Sequence, residues 1–214
     1  MRIVLVRHGE TEWNKLRRIQ GISDVELNEK GRRQAEALAQ ALKNERVEAI
    51  YTSPLKRARD TAYVIARHHQ VEVVTLFGLR ELDAGEVDGL TYEEMRIQYG
   101  DFLDRWIEDC TAVRPPGGCT LHELQEQAWA SIQEIVKRQH QILAEGEENE
   151  KGVVVVVTHF FPTLCIICRA IGLALSQCRR MKLDLASLCT LDFNPSRTVL
   201  VSLNDTCHLK EESQ

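Results

Sequence analysis

A three-layer α/β/α fold with a mostly parallel central sheet, one antiparallel edge region and an inserted helical lid is predicted by three features of the sequence. Short apolar runs alternate with stretches of helical periodicity, which is the layout of βαβ units. Residues 77–118 break that rhythm with short helical pieces, Trp106 and a Pro-Pro-Gly-Gly run, so they read as an insertion over one edge of the sheet, where active-site covers often lie. The final third holds two strand-like runs, SLCTLDF and RTVLVSL, joined by Asn194-Pro195-Ser196 as in a hairpin.

The elements follow in order. Strands are expected at 2–6, 48–52, 71–75 and 153–158. Between the first two, Ala35, Leu38, Ala39 and Leu42 recur at helical spacing behind an Asn28 N-cap, giving an amphipathic crossover helix. The second strand runs into TSPLKRARDTAYVIARHH, where Ser53 is expected to cap a helix with Pro54 at its first position. Thr120 and Glu123 form a capping box for the helix carrying Leu124, Ala128, Ile132 and Ile135. The acidic stretch at 145–152 reads as a solvated loop, and no internal repeat is apparent.

With 214 residues, 43% of them hydrophobic, the chain can bury a full core, and a single domain with one insertion is expected. The net charge of −5 argues against nucleic acid or an acidic membrane as the main partner. The opening apolar run is too short for a signal-peptide core or a membrane span, so the cytoplasm is the expected location. Seven irregularly spaced cysteines suit a reducing compartment, and the Cys165–Cys168 pair reads as buried packing in a helix. A homodimer is left open.

In open parallel sheets, ligands bind beyond the carboxyl ends of the strands. Here those ends deliver Arg7-His8-Gly9-Glu10, Ser53 to Arg59, the loop of Arg80, Glu81 and Asp83, and Thr158-His159. Two histidines with converging guanidiniums suit a phosphoryl group, because arginine offers its oxygens a planar fork of donors. They do not suit a metal, since Arg7 would set a fixed positive charge beside the ligand His8, and no Walker loop or EF-hand spacing appears. No cofactor is expected. Gly9 would permit a tight turn whose carbonyl fixes the His8 tautomer.

LVRHGETEWN, GISDVELNEKGRRQA, YTSPLKRARDTA, LRELDAGEVDGLTYEEM, PPGG and VVVTH together resemble the histidine phosphatase superfamily, which includes cofactor-dependent phosphoglycerate mutases and many small-molecule phosphatases. The blocks stand in the family's order and run across nearly the whole chain. The resemblance implies that His8 attacks phosphorus to give a phosphohistidine, with Arg7, Arg57 and His159 gripping the non-bridging oxygens. It implies Asn14 as a further phosphate contact, Gln20 and Gly21 at the mouth of the pocket, and Glu81 as proton donor to the leaving alkoxide. A plainer role for Glu81 is ion pairing with Arg80 or another guanidinium.

Many relatives read Thr-His-Gly-Gly where this chain has Thr158-His159-Phe160-Phe161-Pro162. The Phe160 N–H is still expected to face phosphate, and the two rings to supply an apolar wall. The subgroup that the chain most resembles contains metal-independent phosphoserine phosphatases and α-ribazole phosphatases, although Ala84 stands where the former carry a substrate-contacting histidine. His159 is expected to be cationic when a dianion binds, and Pro162 to start the next helix. Asp83 and Asp88 read as loop-shaping, Trp13 and Trp106 as packing or lid residues.

The expectation is therefore a metal-independent phosphomonoester hydrolase acting on a small phosphorylated metabolite. A phosphoglycerate mutase is the alternative within enzymes, and a non-catalytic phosphate-binding domain the alternative outside them.

Overall fold

A computed structural model describes residues 1–145, 152–194 and 197–212. Six strands form one sheet in the order β3-β2-β4-β1-β5-β6. They are β1 (Arg2–Arg7), β2 (Val47–Thr52), β3 (Val73–Thr75), β4 (Val153–Thr158), β5 (Leu188–Phe193) and β6 (Thr198–Asp205). β1 to β4 run parallel, while β5 lies antiparallel to β1 and β6 to β5, which gives the mixed sheet its antiparallel edge.

The three layers follow from strand periodicity. Ile3, Leu5, Val154 and Val156 point to one face and pack under α6 (Leu121–Glu145) and α7 (Phe160–Ile171). Val4, Val6, Val153, Val155 and Val157 point to the other, under α2 (Glu29–Leu42) and α3 (Lys56–Ala66). β4, at the centre, is buried at every residue, which is why it reads as an unbroken valine run instead of an alternating one.

The caps place the helices. Asn28 accepts the Gly31 N–H at 2.8 Å, and Thr120 and Glu123 exchange the two bonds of a capping box. Ser53 does not cap α3 as expected. The helix begins at Lys56 after Leu55, and Pro54 lies before its first turn. Pro162 is likewise not the first residue of α7, which starts at Phe160; it sits in the first turn, where its missing N–H leaves no helical bond unmade. The third strand is shorter than 71–75, and most of the acidic 145–152 stretch and two residues of the hairpin turn lie outside the described residues. Cys165 and Cys168 are buried in α7.

The stretch between β3 and α6 contains α4 (Tyr92–Gln98) and α5 (Gly100–Glu108) and closes over its own small core of Ala84, Val87, Met95 and Leu103. A short helix, α1 (Glu12–Lys15), follows β1, capped by Thr11. One register decides the rest: Arg7 pairs with Thr158 across β1 and β4. His8 and His159 therefore leave neighbouring parallel strands at the same level, and Ser53 leaves β2 beside them, its N–H donating to Val157 O at 3.1 Å.

Candidate active site

The two histidine rings meet edge to face, with centroids 5.1 Å apart and an interplanar angle of 61°. His8 is held through Nδ1 at 2.7 Å from its neighbour's carbonyl, Gly9 O, which makes Nδ1 the protonated nitrogen and leaves Nε2 with a free lone pair. Gly9 does supply the carbonyl, but not through a left-handed turn. A Cβ at Gly9 would lie 2.4 Å from Gly31 O, and one at Gly31 would lie 2.0 Å from Glu10 O. These two glycines let α2 pass directly against the loop that carries His8.

Burial, then Arg57 and Arg7, hold the His8 pKa well below the ordinary imidazole value, so the ring is neutral at pH 7. His159 is fully buried and is depressed in the same way by burial, Arg57, His8 and Arg7. Without an anion it too is neutral. Its Nε2 lies 2.7 Å from Ser53 Oγ, and its Nδ1 is buried without a partner. Ser53 Oγ accepts the Leu55 N–H at 3.3 Å, so its own proton is free to go to His159 Nε2.

Arg57 is fully buried on the first turn of α3. Its guanidinium donates to Gly21 O at 2.7 Å and Ser23 O at 2.8 Å. With the Gln20 amide turned so that its nitrogen donates to Thr11 Oγ1, the Gln20 oxygen accepts from Arg57 Nε at 2.7 Å. Gln20 and Gly21 thus hold Arg57 as well as lining the pocket. The same loop is fixed from the other side by Asp88, whose carboxylate accepts the N–H of Gly21 and of Ser23. Arg7 donates from Nη1 to Leu183 O at 2.6 Å, keeps a buried Nε without partner, and lies over the Phe160 ring at 5.0 Å. Burial pushes both guanidiniums down to about 10, and among the described residues neither has an ion-paired carboxylate.

Glu81 is buried, and its carboxyl accepts the N–H of Leu82 at 2.8 Å, of Phe160 at 3.0 Å and of Phe161 at 3.3 Å. This corrects two expectations. The Phe160 N–H is committed to Glu81 instead of facing an anion, because α7 starts at that residue and its first free donors find a carboxyl at hand. Arg80 is no partner of Glu81; its guanidinium stacks 3.6 Å above the Phe77 ring. Burial raises the Glu81 pKa despite those donors and the two arginines, so the group tends to hold its proton.

Asn14 lines the same cavity, with its Oδ1 occupied by the Thr11 N–H at 3.1 Å in the α1 capping box. The cavity, of about 340 Å³, is also lined by Phe102, Trp106, Phe160 and Phe161. Arg7, Glu81, Asn14, Gln20, Gly21 and Phe160 are brought together there; His8, Arg57 and His159 are not among its lining residues and lie buried next to it, the two imidazoles in ring contact and Arg57 bonded to the lining Gly21. The partner roles of Ser53 and Gly31 were not read from the sequence. An isolated glycine inside a helical pattern was the one signal for Gly31. Among the described residues, no group of three or more His, Cys, Asp or Glu could hold a metal ion, and no helix is long and apolar enough to cross a membrane.

A neutral imidazole with one free lone pair, buried beside a carboxyl with raised pKa and two cations that have no ion-paired carboxylate among the described residues, has the parts for nucleophilic attack on a phosphoryl group and proton delivery to its leaving oxygen. Comparison with known proteins finds phosphatases. The chain is 35% identical over 211 residues to phosphoserine phosphatase 1 of Hydrogenobacter thermophilus, covering 99% of this chain and 95% of that protein. It is 35% identical to the metal-independent phosphoserine phosphatase of Arabidopsis thaliana, covering 97% of this chain and 82% of the relative. The solved structure of a mycobacterial glucosyl-3-phosphoglycerate phosphatase complexed with VO3 superposes with a TM-score of 0.87 at 28% identity, over 96% of this chain and 99% of that one. The model of the histidine phosphatase superfamily, branch 1, matches residues 3–206, and the chain belongs to that superfamily.

Proposed function

We propose that the protein hydrolyses phosphomonoesters of small metabolites through a phosphohistidine at His8, without a metal. The observation that carries this reading is the clamp of His8 Nδ1 on Gly9 O, which leaves a neutral Nε2 beside two buried arginines that have no ion-paired carboxylate among the described residues. Nε2 attacks phosphorus as the bond to the alcohol oxygen breaks, and Glu81 gives that oxygen its proton. Water then attacks the phosphohistidine, returning a proton to Glu81 and releasing phosphate. Arg7 Nε, the remaining donor capacity of Arg57 and the Nδ1–H of His159 receive the non-bridging oxygens, and a bound dianion draws His159 toward its cationic form.

The fold is read as one domain whose segment 77–118 acts as a lid. The free cysteines support a reducing, cytoplasmic setting. A homodimer is supported by the exposed Val201 and Leu203 on edge strand β6.

A panel of phosphomonoesters assayed with EDTA present tests the function, comparing wild type with His8→Ala. Activity is expected to survive chelation and to vanish in the variant. Loss on chelation, full activity without His8, or isomerisation of 3-phosphoglycerate primed by a bisphosphoglycerate would each overturn it.

A further inference from the structure

Four aromatic rings run in series away from the reacting centre. Phe160 lies beneath Arg7, and its ring centroid is 5.0 Å from that of Phe161 at 81°. Phe161 meets Trp106 at 5.8 Å and 84°, and Trp106 meets Phe102 at 5.6 Å and 39°. Two of the rings come from the start of α7 and two from α5, and Met95 of α4 and Ile19 complete an apolar wall on the same cavity. Such an array, edge to face at Phe160–Phe161 and Phe161–Trp106 and tilted at Trp106–Phe102, presents ring faces and edges to a flat apolar guest.

The charges point the same way. Glu81 is the only carboxylate among the described residues that line this cavity, and its oxygens already accept three backbone N–H groups. The lining cations are Arg7, Arg18 and Arg179. Arg18 is spent on Glu94 at 3.1 Å and Gly89 O, and Arg179 on the carbonyls of Trp106 and Ile107 at the end of α5. An ammonium on the substrate would find, among the described residues, no lining carboxylate free of backbone donors, and the buried Ala84 offers it nothing polar.

Resting on the hydrolase reading above, we propose that the site prefers phosphomonoesters of aromatic or compact apolar alcohols over those of amino-acid or short polar alcohols. Trp106 and Phe160 set that preference.

The test compares benzyl phosphate, ethyl phosphate and phosphoserine, whose oxygens leave as unactivated alkoxides. The kcat/KM for benzyl phosphate is expected to exceed both others by about tenfold or more, the scale on which an apolar pocket discriminates. Trp106→Ala should narrow the benzyl-to-ethyl ratio to about threefold or less. Equal or better hydrolysis of ethyl phosphate or phosphoserine by the wild type overturns the proposal, as does an unchanged ratio in a folded Trp106→Ala. Calorimetric binding of the same esters to His8→Ala separates this from failure of the hydrolase reading. If no ester is turned over, that reading falls, and benzyl phosphate binding no tighter than ethyl phosphate would remove the proposed pocket preference as well.

Discussion

His159 is bound through Nε2 to the hydroxyl of Ser53 at 2.7 Å, while its other ring nitrogen is buried and unpartnered. The hydroxyl comes from the end of β2 and the imidazole from the end of β4, so the sheet itself sets this pair. With Ser53 donating to Nε2, the His159 proton is held on Nδ1, where a phosphoryl oxygen can accept it.

Ser53→Ala removes that donor and frees the tautomer. The kcat/KM is expected to fall about tenfold, near the worth of one positioning hydrogen bond. Ser53→Thr, which keeps the hydroxyl, should recover most of it. Nitrogen chemical shifts of His159 would report the tautomer directly, and a ring that stays protonated on Nδ1 in the alanine variant would sink the idea.

Glu81→Gln tests proton delivery. A buried acid with a raised pKa matters most when the leaving oxygen is a poor one, so kcat for an alkyl phosphate is expected to drop by about 10² or more. For p-nitrophenyl phosphate, whose leaving group needs no proton, the loss in the phosphorylation step should be much smaller. Equal losses in that step for both esters would assign Glu81 to holding the first N–H groups of α7 alone.

The buried histidines make stability depend on pH in a fixed direction. Their folded pKa values lie below the unfolded value of about 6.5, so the unfolded chain binds protons that the folded one refuses. Stability is therefore greatest above about pH 6.5 and declines below it, by up to about 1.4 kcal/mol per pH unit for each ring. Glu81, shifted upward, acts oppositely and offsets about one of the two between its own unfolded and folded pKa. Urea unfolding at several pH values should show the decline, and His159→Asn should flatten it in any variant that still folds.

Gly31→Ala probes the approach of α2 to the His8 loop. The new methyl would sit 2.0 Å from Glu10 O, a backbone atom that cannot step aside alone. Overpacking of this kind is expected to remove about 1–3 kcal/mol of stability, and kcat should fall with it because Glu10 neighbours the Gly9 carbonyl that orients His8. A variant with wild-type Tm and kcat would show that the contact relaxes freely.

Much of the architecture was legible because it rests on local rules. The valine run could only be a central strand, Asn28 and Thr120 announced their helices, and alternating strands and helices implied parallel pairing with two histidines on one rim. Local rules failed at Ser53 and Pro54, where a good capping sequence is overridden: the hydroxyl is engaged by His159, 106 residues away in the chain. They failed again at Phe160, whose N–H turned to a carboxyl from another loop.

By itself the sequence determined the sheet, its layers and the set of candidate side chains at the strand ends, since periodicity and caps are set by neighbours a few residues apart. Tertiary structure alone decided how those groups are held: the glycine-to-glycine approach behind His8, the carbonyl cage around Arg57, and the raised carboxyl of Glu81. Each is a contact between segments distant in sequence, and burial and partner geometry at such contacts exist only once the chain has closed around them.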